Sequence, residues 1–337
     1  MVETSNQSYR HRLFLLVANA REMGILLFIL LIIALVGLRS PNFLTVSNFR
    51  DILLDIAILS IVAIGQMVVI LTASIDLSVG SVIGLVAMVV GLLIRDNPWL
   101  PPVVAVLLGT GLGLLLGCIN GALVTKGHVP PIIATLGTMS VYRGAVLVVS
   151  KGDLVDAYRI PKGFVDITLT PLLGIPALII YALIIAAIFY YFLRYTRTGR
   201  QIYAIGSNPA AARLAGIRAD RVLFLAFIIS GTLAGLAGVL WASRFAAVAN
   251  DTGTGFELQT VAACVIGGVN IFGGSGTIPG VLLGSLLLGI IVNALTITGI
   301  SPFWRLTVQG LLIILAVVAD ALIVRRLQEV TRTRRTA

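Results

Sequence analysis

The sequence predicts an all-α fold: a polytopic bundle of about ten transmembrane helices, with a short helix on the cytoplasmic side. Of the 337 residues, 58% are hydrophobic and only 11% are charged, and the mean hydropathy is +1.05, which excludes a soluble domain. A bilayer core of about 30 Å needs roughly 20 apolar residues per crossing. Windows of that length place spans near residues 23–38, 52–72, 77–94, 103–125, 130–150, 172–193, 221–241, 258–272, 278–298 and 303–324.

Basic residues predict the orientation, because cytoplasmic loops of membrane proteins carry an excess of arginine and lysine. With ten spans and a cytoplasmic N-terminus, 15 basic residues fall in inner segments, 8 fall in outer loops, and Arg143 falls within a span. We therefore expect a cytoplasmic segment at 1–22, a transmembrane domain at 23–324 and a basic cytoplasmic tail at 325–337. The formal charge of +10 then suits anionic lipid headgroups and does not indicate nucleic acid.

The residue types exclude several kinds of chemistry. Cys118 and Cys264 both fall in predicted spans, and the histidines are limited to His11 and His128, so neither a disulfide framework nor a metal site is expected. No glycine directly precedes a lysine, so the Gly-Lys phosphate loop that binds ATP is absent. We expect no cofactor and no catalytic residue. The first span lacks a convincing cleavage site and is predicted to be a retained anchor.

The segment 206–217, GSNPAAARLAGI, carries its own helix start and stop signals within the most basic loop. Ser207 or Asn208 can cap the N-terminus, Pro209 suits the first helical position, and Gly216 suits a left-handed C-cap. A helix of about two turns is marginal in water, which favours stabilisation by a neighbour or a partner protein. The predicted docking residues are Ser207, Asn208, Pro209, Ala210, Ala211, Ala212, Arg213, Leu214 and Gly216.

The spans show a faint internal repeat and many glycines. The triplet at 76–78, Asp-Leu-Ser, opens the third span, and the similar triplet at 257–259, Glu-Leu-Gln, opens the eighth. The two triplets are offset by five spans, an odd number, which predicts two five-helix inverted repeats of opposite orientation. Glycines within spans predict close helix packing. The GGSGT run at 273–277 lacks a lysine and a preceding strand, so we expect a tight turn between helices rather than a phosphate site.

Seven segments form a more specific set. They are IDLSVGSVIGL at 75–85, NGALVTKGHVPPIIATLG at 120–137, YRG at 142–144, GSNPAAARLAGI at 206–217, GTGFELQTVAACVIGG at 253–268, GGSGTIPG at 273–280 and LLIILAVVAD at 311–320. The set resembles the membrane permease of bacterial ABC importers for ribose, xylose, rhamnose and autoinducer-2. The resemblance extends over most of residues 45–320.

The resemblance implies a function and its partners. Two permeases, identical or related, would pair in the bacterial inner membrane, two cytoplasmic ATPase subunits would power them, and a periplasmic sugar-binding protein would deliver a sugar or sugar-like solute. The chain would be a pore and not an enzyme, with residues 206–217 as the coupling helix that sits in a cleft of the ATPase. Many relatives carry a glutamate where this chain has Pro209, but proline suits the first turn and the helix should persist.

Polar residues inside spans are candidate translocation-path positions. Arg143 has the largest free-energy cost of membrane insertion among these, at roughly 2.5–3.5 kcal/mol for an arginine in the middle of a span. It either snorkels to the periplasmic interface or lies at the dimer interface or pore mouth. Gln66, Asn120 and Asn293 are further candidates, as is Gln309, with hydrogen bonding between helices as the structural alternative for each.

Two other classes of protein fit the sequence less well. An ion-coupled secondary transporter usually needs a mid-membrane carboxylate, whereas every Asp and Glu here is predicted to lie in a loop or near a span end. A membrane prenyl transferase would need clustered acids for magnesium diphosphate, and Asp51 and Asp55 form a single pair at an outer edge. The ABC importer permease is therefore the main prediction, and the ion-coupled transporter is the alternative.

Overall fold

The computed structural model describes residues 22–301 and seven positions of the last predicted span, namely 304, 307, 308, 310, 311, 314 and 318. Three predicted segments therefore lie wholly or mostly outside the described residues. They are the N-terminal segment at 1–22, the tenth span at 303–324, which includes Gln309, and the basic tail at 325–337.

The described part of the chain is almost entirely helical. In order, its α-helices are α1 (Glu22–Arg39), α2 (Val46–Leu71), α3 (Val79–Asp96), α4 (Pro102–Thr125), α5 (Pro131–Ser150), α6 (Lys162–Leu169), α7 (Ala177–Tyr195), α8 (Arg197–Ser207), α9 (Pro209–Leu214), α10 (Ala219–Phe245), α11 (Phe256–Ile266) and α12 (Ile278–Ile297). Short 3₁₀ turns occupy Pro41–Leu44 and Ala157–Arg159, and a two-stranded antiparallel hairpin joins β1 (Pro171–Leu172) to β2 (Ile175–Pro176). Eight of the described helices, α1–α5, α7, α10 and α12, are long and apolar enough to cross a membrane, which confirms an all-α membrane bundle.

Capping residues explain where several of these helices begin. The hydroxyls of Thr45 and Thr277 accept hydrogen bonds of 3.3 and 3.1 Å from backbone N–H groups three residues later, which satisfies donors that have no partner within α2 and α12. Pro102 and Pro131 occupy the first positions of α4 and α5, where a missing N–H costs nothing. The starts of these helices are therefore encoded locally.

Helices α2 and α10 form the centre of the bundle. Within the apolar window of α2, 89% of the residues are buried, and α10 packs against α4, α3 and α2. The contact between α4 and α10 is made of glycines, as expected from their placement within spans. A Cβ added to Gly117 would lie 2.5 Å from the carbonyl oxygen of Phe227, and one added to Gly235 would lie 2.7 Å from the Cα of Gly113. The two backbones therefore touch without intervening side chains.

The eighth predicted span is shorter than expected. Its helix, α11, has 11 residues, which extend about 17 Å, roughly half of a bilayer core. The residues predicted to continue it, 267–272, instead belong to a non-helical segment at 267–277. Helix α3, its predicted counterpart in the repeat, has 18 residues. The count of ten spans and the two five-helix inverted repeats therefore remain predictions.

Candidate functional site

Residues 206–217 form the short helix that the sequence predicts, with one refinement. Asn208 is the N-cap: its side-chain oxygen accepts a hydrogen bond of 3.0 Å from the backbone N–H of Ala211. Pro209 occupies the first helical position, and Gly216 closes the helix at φ +75°, the left-handed conformation that glycine adopts readily. Ser207, the other predicted cap, is the last residue of α8. The helix start is therefore fixed by Asn208.

Helix α9 is held by a single buried side chain and otherwise faces outward. Ala212 is buried, whereas the other five α9 residues are exposed. Leu214 is 91% exposed, although a leucine gains roughly 1.5–3 kcal/mol by leaving water. Arg213 and Arg218 are also exposed beside it. The outward face of α9 is thus a small apolar patch with basic neighbours.

Just before α9, the backbones of three segments meet at what we call the backbone junction: Gly206, the turn 71–73 and the turn 273–274. The carbonyl oxygen of Leu71 accepts a hydrogen bond of 3.0 Å from the N–H of Gly274. A Cβ on Gly206 would collide with that same carbonyl, and one on Gly273 would lie 2.8 Å from the backbone nitrogen of Ala73. Gly273 and Gly274 have φ of +88° and +76°. The glycine run is therefore the tight turn predicted from the sequence.

Tyr203 adds a side-chain link to the junction. Its hydroxyl donates a hydrogen bond of 2.9 Å to the carbonyl oxygen of Gly276. Burial raises the pKa of Tyr203 to about 12, because a phenolate is poorly solvated there. The hydroxyl therefore keeps its proton, and its donor role, throughout the neutral range.

A buried carboxylate lies next to the junction, contrary to expectation. Asp76 is 1% exposed and accepts three hydrogen bonds: from the N–H and hydroxyl of Ser78, at 3.0 and 2.7 Å, and from the hydroxyl of Ser230, at 2.9 Å. Ser230 lies about 17 Å along α10 from Ala219 by helical rise. Asp76 does occupy a connection between helices, but that connection is buried within the bundle rather than exposed as a loop.

Two predicted path residues belong to the same cluster. The amide of Gln66, in the orientation that satisfies both of its atoms, donates to the carbonyl oxygen of Asp76 at 3.0 Å and accepts from its N–H at 3.3 Å. Asn120 donates to the hydroxyl of Ser78 at 2.7 Å and accepts from Tyr142 at 3.4 Å. We call Gln66, Asp76, Ser78, Asn120 and Ser230 the Asp76 network. Gln66 and Asn120 therefore make the hydrogen bonds between helices that were the structural alternative for them.

Arg143 joins α5 to the segment before α11. One guanidinium nitrogen donates a hydrogen bond of 2.7 Å to the carbonyl oxygen of Thr252, and the carboxylates of Glu257 and Asp251 place negative charge nearby. Gly84 of α3 allows this approach, since a Cβ there would lie 3.1 Å from the same nitrogen. Arg143 is thus half-buried with a backbone partner, and its placement at a dimer interface or pore mouth remains a prediction.

Asn293 lies far from the Asp76 network, beside an open cavity. Its amide nitrogen donates to the side-chain oxygen of Asn48 at 2.8 Å, which links α12 to α2. It lines a cavity of about 400 Å³ that adjoins a second of about 520 Å³, and both are bordered by Trp241, Phe245, Phe256 and Gln259. We call these two adjoining cavities the aromatic cleft. Trp241 lies about 33 Å along α10 from Ala219, so the cleft and α9 are at opposite ends of that helix.

Several of these residues carry no signal in the sequence that marks them for a role. Gly206, Trp241, Phe256 and Gln259 were not singled out for a role, because their importance comes from segments far apart in the chain. Asp76 was noted only as a helix-start residue. The sequence signal was the position of Asp76 at the start of the predicted third span, but its burial was not apparent from that position.

A family of transport proteins matches most of the chain. The sequence profile described as branched-chain amino acid transport system / permease component matches residues 48–317. The chain belongs to this permease family. It is accordingly a permease component of a transport system and a multi-pass membrane protein, as the eight apolar helices in the described part also indicate.

Curated relatives extend over nearly the whole permease. The ribose import permease of Escherichia coli (strain K12) is 35% identical over 323 residues, which cover 94% of this chain and 98% of the relative. The ribose import permease of Bacillus subtilis (strain 168) is 38% identical and covers 89% and 92%. The autoinducer 2 import system permease of Salmonella typhi is 36% identical and covers 90% and 86%. No solved structure matches the chain. The family resemblance read from the motifs is confirmed.

Proposed function

We propose that this permease forms the translocation pathway of an ABC importer for a sugar or sugar-like solute. Separate cytoplasmic ATPase subunits drive it, a second identical or related permease completes the pathway, and a periplasmic sugar-binding protein delivers the solute. The chain lies in the bacterial inner membrane with both termini in the cytoplasm. The names of the ribose and autoinducer 2 relatives support the importer class and the kind of solute, and the excess of basic residues on the predicted inner side supports the orientation.

The observation that carries this proposal is the build of α9. The helix is only six residues long, but Asn208, Pro209 and Gly216 fix where it starts and ends. All of its residues except Ala212 are nevertheless exposed. A helix that leaves Leu214 in water offers apolar area to a partner. Docking in a groove of an ATPase subunit would cover Leu214 and pair the neighbouring arginines with acidic groups. We therefore assign α9 as the coupling helix.

Movement of α9 would reach the membrane helices through the backbone junction. Because Gly206 contacts the Leu71 carbonyl and the turn before α12 directly, no flexible side chain can absorb a displacement there. The turn after Leu71 leads into the Asp76 network, whose carboxylate is bonded to Ser230 of α10. Closure of the ATPase dimer on ATP binding would thus move α2, α10 and α12 as packed bodies.

A charge reversal on α9 tests this assignment. In proteoliposomes that contain the permease, its ATPase and its binding protein, Ala211→Glu and Leu214→Asp should abolish binding-protein-stimulated ATP hydrolysis and solute uptake. Leu173→Glu is the matched control, because Leu173 is 99% exposed in the hairpin before α7 and has no role in docking. Stimulated hydrolysis at the control's level in both α9 variants would refute the coupling role.

The buried Asp76 carboxylate is the feature of the described structure that favours the alternative, an ion-coupled transporter. Its three hydrogen-bond donors, from Ser78 and Ser230, instead suit a carboxyl group with a structural role. Asp76→Asn distinguishes the two, since asparagine keeps one acceptor oxygen but cannot take up and release a proton as a carboxyl group does. Uptake that needs ATP and persists in Asp76→Asn supports the importer. Uptake that follows a proton or sodium gradient without ATP, and is lost in Asp76→Asn, supports the alternative.

A further inference from the structure

The aromatic cleft combines ring faces with polar groups that have no partner. Trp241 packs against Phe256 edge to face, with ring centroids 5.3 Å apart, and against Phe245 at 4.7 Å. In the described part of the chain, neither the indole N–H of Trp241 nor the side-chain amide of Gln259 hydrogen-bonds to another residue, and the side-chain oxygen of Asn293 is buried without a partner. Because a buried oxygen without a partner is costly, pairing of the Asn293 oxygen with a ligand would be favourable, and the half-buried Trp241 and Gln259 keep donors and an acceptor free for the same ligand.

The charges around the cleft restrict the kind of ligand. Its described lining residues include the acids Asp55, Asp156 and Asp251 but no lysine or arginine. The nearest arginine on α10, Arg244, forms an ion pair with Asp55. Asp55 and Asp251 face Arg244 and Arg143, so these two arginines are already engaged, and the described lining offers no further cation to a phosphate or a free carboxylate. The cleft disfavours anions and does not offer the carboxylate anchor that an amino acid needs.

We propose that the aromatic cleft binds a neutral polyhydroxylated solute of monosaccharide size, with its C–H face on Trp241 and Phe256 and its hydroxyls paired with Gln259 and Asn293. This inference rests on the proposed function, since it assigns the solute a position in the permease. The cavities of about 520 and 400 Å³ fall within the range of about 300–1,000 Å³ that is usual for small-molecule sites. An amide supplies both donors and an acceptor, which matches a hydroxyl that does both.

The site lies where a delivered solute would arrive first. Trp241 and Phe245 are at the end of α10 opposite α9, and α9 is assigned to the cytoplasmic side. The cleft would therefore open toward the periplasm and receive the solute from the binding protein. Binding here is weak, because a solute held tightly in the pathway would leave it slowly.

Protection of an engineered thiol tests the site without the ATPase. The full-length permease carries Thr254→Cys with Cys118→Ser and Cys264→Ser, because Thr254 lines the cleft and is assigned no contact with the solute; a charged thiol reagent labels it in detergent. If D-ribose binds with a millimolar Kd, a concentration about four times that Kd leaves about one fifth of the sites free and slows labelling about fivefold. D-Xylose and L-rhamnose serve as alternative probes. Ribose 5-phosphate and L-leucine should give no protection. Leu173→Cys in the same background is the control for reagent access.

Two outcomes overturn the inference: labelling that none of the three sugars slows, or equal protection by ribose 5-phosphate or L-leucine. A second test uses uptake by the assembled transporter. Trp241→Ala should lower sugar uptake severalfold while binding-protein-stimulated ATP hydrolysis continues, and Trp241→Phe should restore uptake because it keeps a ring. Equal uptake in Trp241→Ala and the parent would also overturn it.

The two proposals fail separately. Ala211→Glu tests coupling, and we expect sugar protection of the Thr254→Cys thiol to persist in that background. If coupling to the ATPase proves absent, protection can still be measured on the isolated chain. If protection is absent, the response of ATP hydrolysis to Ala211→Glu is unaffected by that result.

Discussion

Leu71 and Gly206 are in direct backbone contact: the α carbon of the glycine packs against the carbonyl oxygen at the end of α2. Gly274 donates a hydrogen bond of 3.0 Å to the same oxygen. One carbonyl therefore joins the end of α8, the end of α2 and the turn before α12. Such a contact transmits displacement because neither partner has a rotatable side chain between them.

We expect Gly206→Ala to uncouple the transporter. The added methyl group collides with the Leu71 carbonyl and would lie 2.6 Å from the Gly274 nitrogen, and overpacking of this kind costs about 1–3 kcal/mol. Binding-protein-stimulated ATP hydrolysis and uptake in proteoliposomes should both fall. Gly144→Ala in α5 is the control, since a Cβ there meets nothing within 4 Å. Equal coupling in the two variants would show that the junction does not transmit movement.

Substitution of Asp76 should destabilise the protein in proportion to the hydrogen bonds it loses. Asp76→Ala leaves Ser78 and Ser230 without their buried acceptor, at about 1–3 kcal/mol for each unpaired group. Asp76→Asn retains an acceptor for Ser78 and can donate to Ser230, so it should cost less. Thermal unfolding in detergent measures both. An alanine variant as stable as the asparagine variant would mean that the network contributes little.

The glycine contact between α4 and α10 should not tolerate a methyl group. A Cβ on Gly231 would lie 2.5 Å from the carbonyl oxygen of Gly113, so Gly231→Ala must push the helices apart or shift them, at about 1–3 kcal/mol. Gly111→Ala, on the same α4 helix but facing open space, should be neutral or slightly stabilising. The midpoint of thermal unfolding of each variant checks this. A midpoint unchanged in Gly231→Ala would contradict backbone contact.

We expect the contribution of Tyr203 to the free energy of unfolding to decrease at high pH. Its folded-state pKa is about 12, above the ordinary value of 10.0, so the unfolded chain releases this proton first as the pH rises. The contribution is fully present below pH 10.0 and is lost as the pH approaches 12, with a slope of up to about 1.4 kcal/mol per pH unit. The difference in unfolding free energy between parent and Tyr203→Phe, measured across this range, should shrink with rising pH. A constant difference would contradict the raised pKa.

Much of the fold could be predicted because it depends on local chemistry. Apolar windows located the membrane helices of the described region, and the cap residues Asn208, Pro209 and Gly216 located α9 almost to the residue. The failure at the eighth span has a physical reason. Residues 258–272 satisfy a hydropathy window, but the helix ends at Ile266 and Gly268 has a positive φ that is incompatible with its continuation.

The candidate sites were less predictable, because they depend on contacts between distant segments. The hydropathy pattern predicted that Asp76 lies at the membrane surface. It is buried instead, and the hydrogen bond from Ser230 reduces the free-energy cost of that burial. Gln66 and Asn120 were found as polar residues in spans, but their partners could not be read from sequence. The residues around Trp241 and Gln259 meet only when α10 and α11 pack, so no single stretch of sequence marks the cleft.

The close packing of α4 on α10 makes that pair a stiff lever arm. It runs from the segment beside α9 to the aromatic residues near its far end, a length of about 33 Å. If the pair rotated by about 10° about the end near α9, its far end would move by about 6 Å. This distance is comparable to the width of a sugar ring. A rotation too small to disrupt any helix would thus be enough to widen or narrow the aromatic cleft at Trp241.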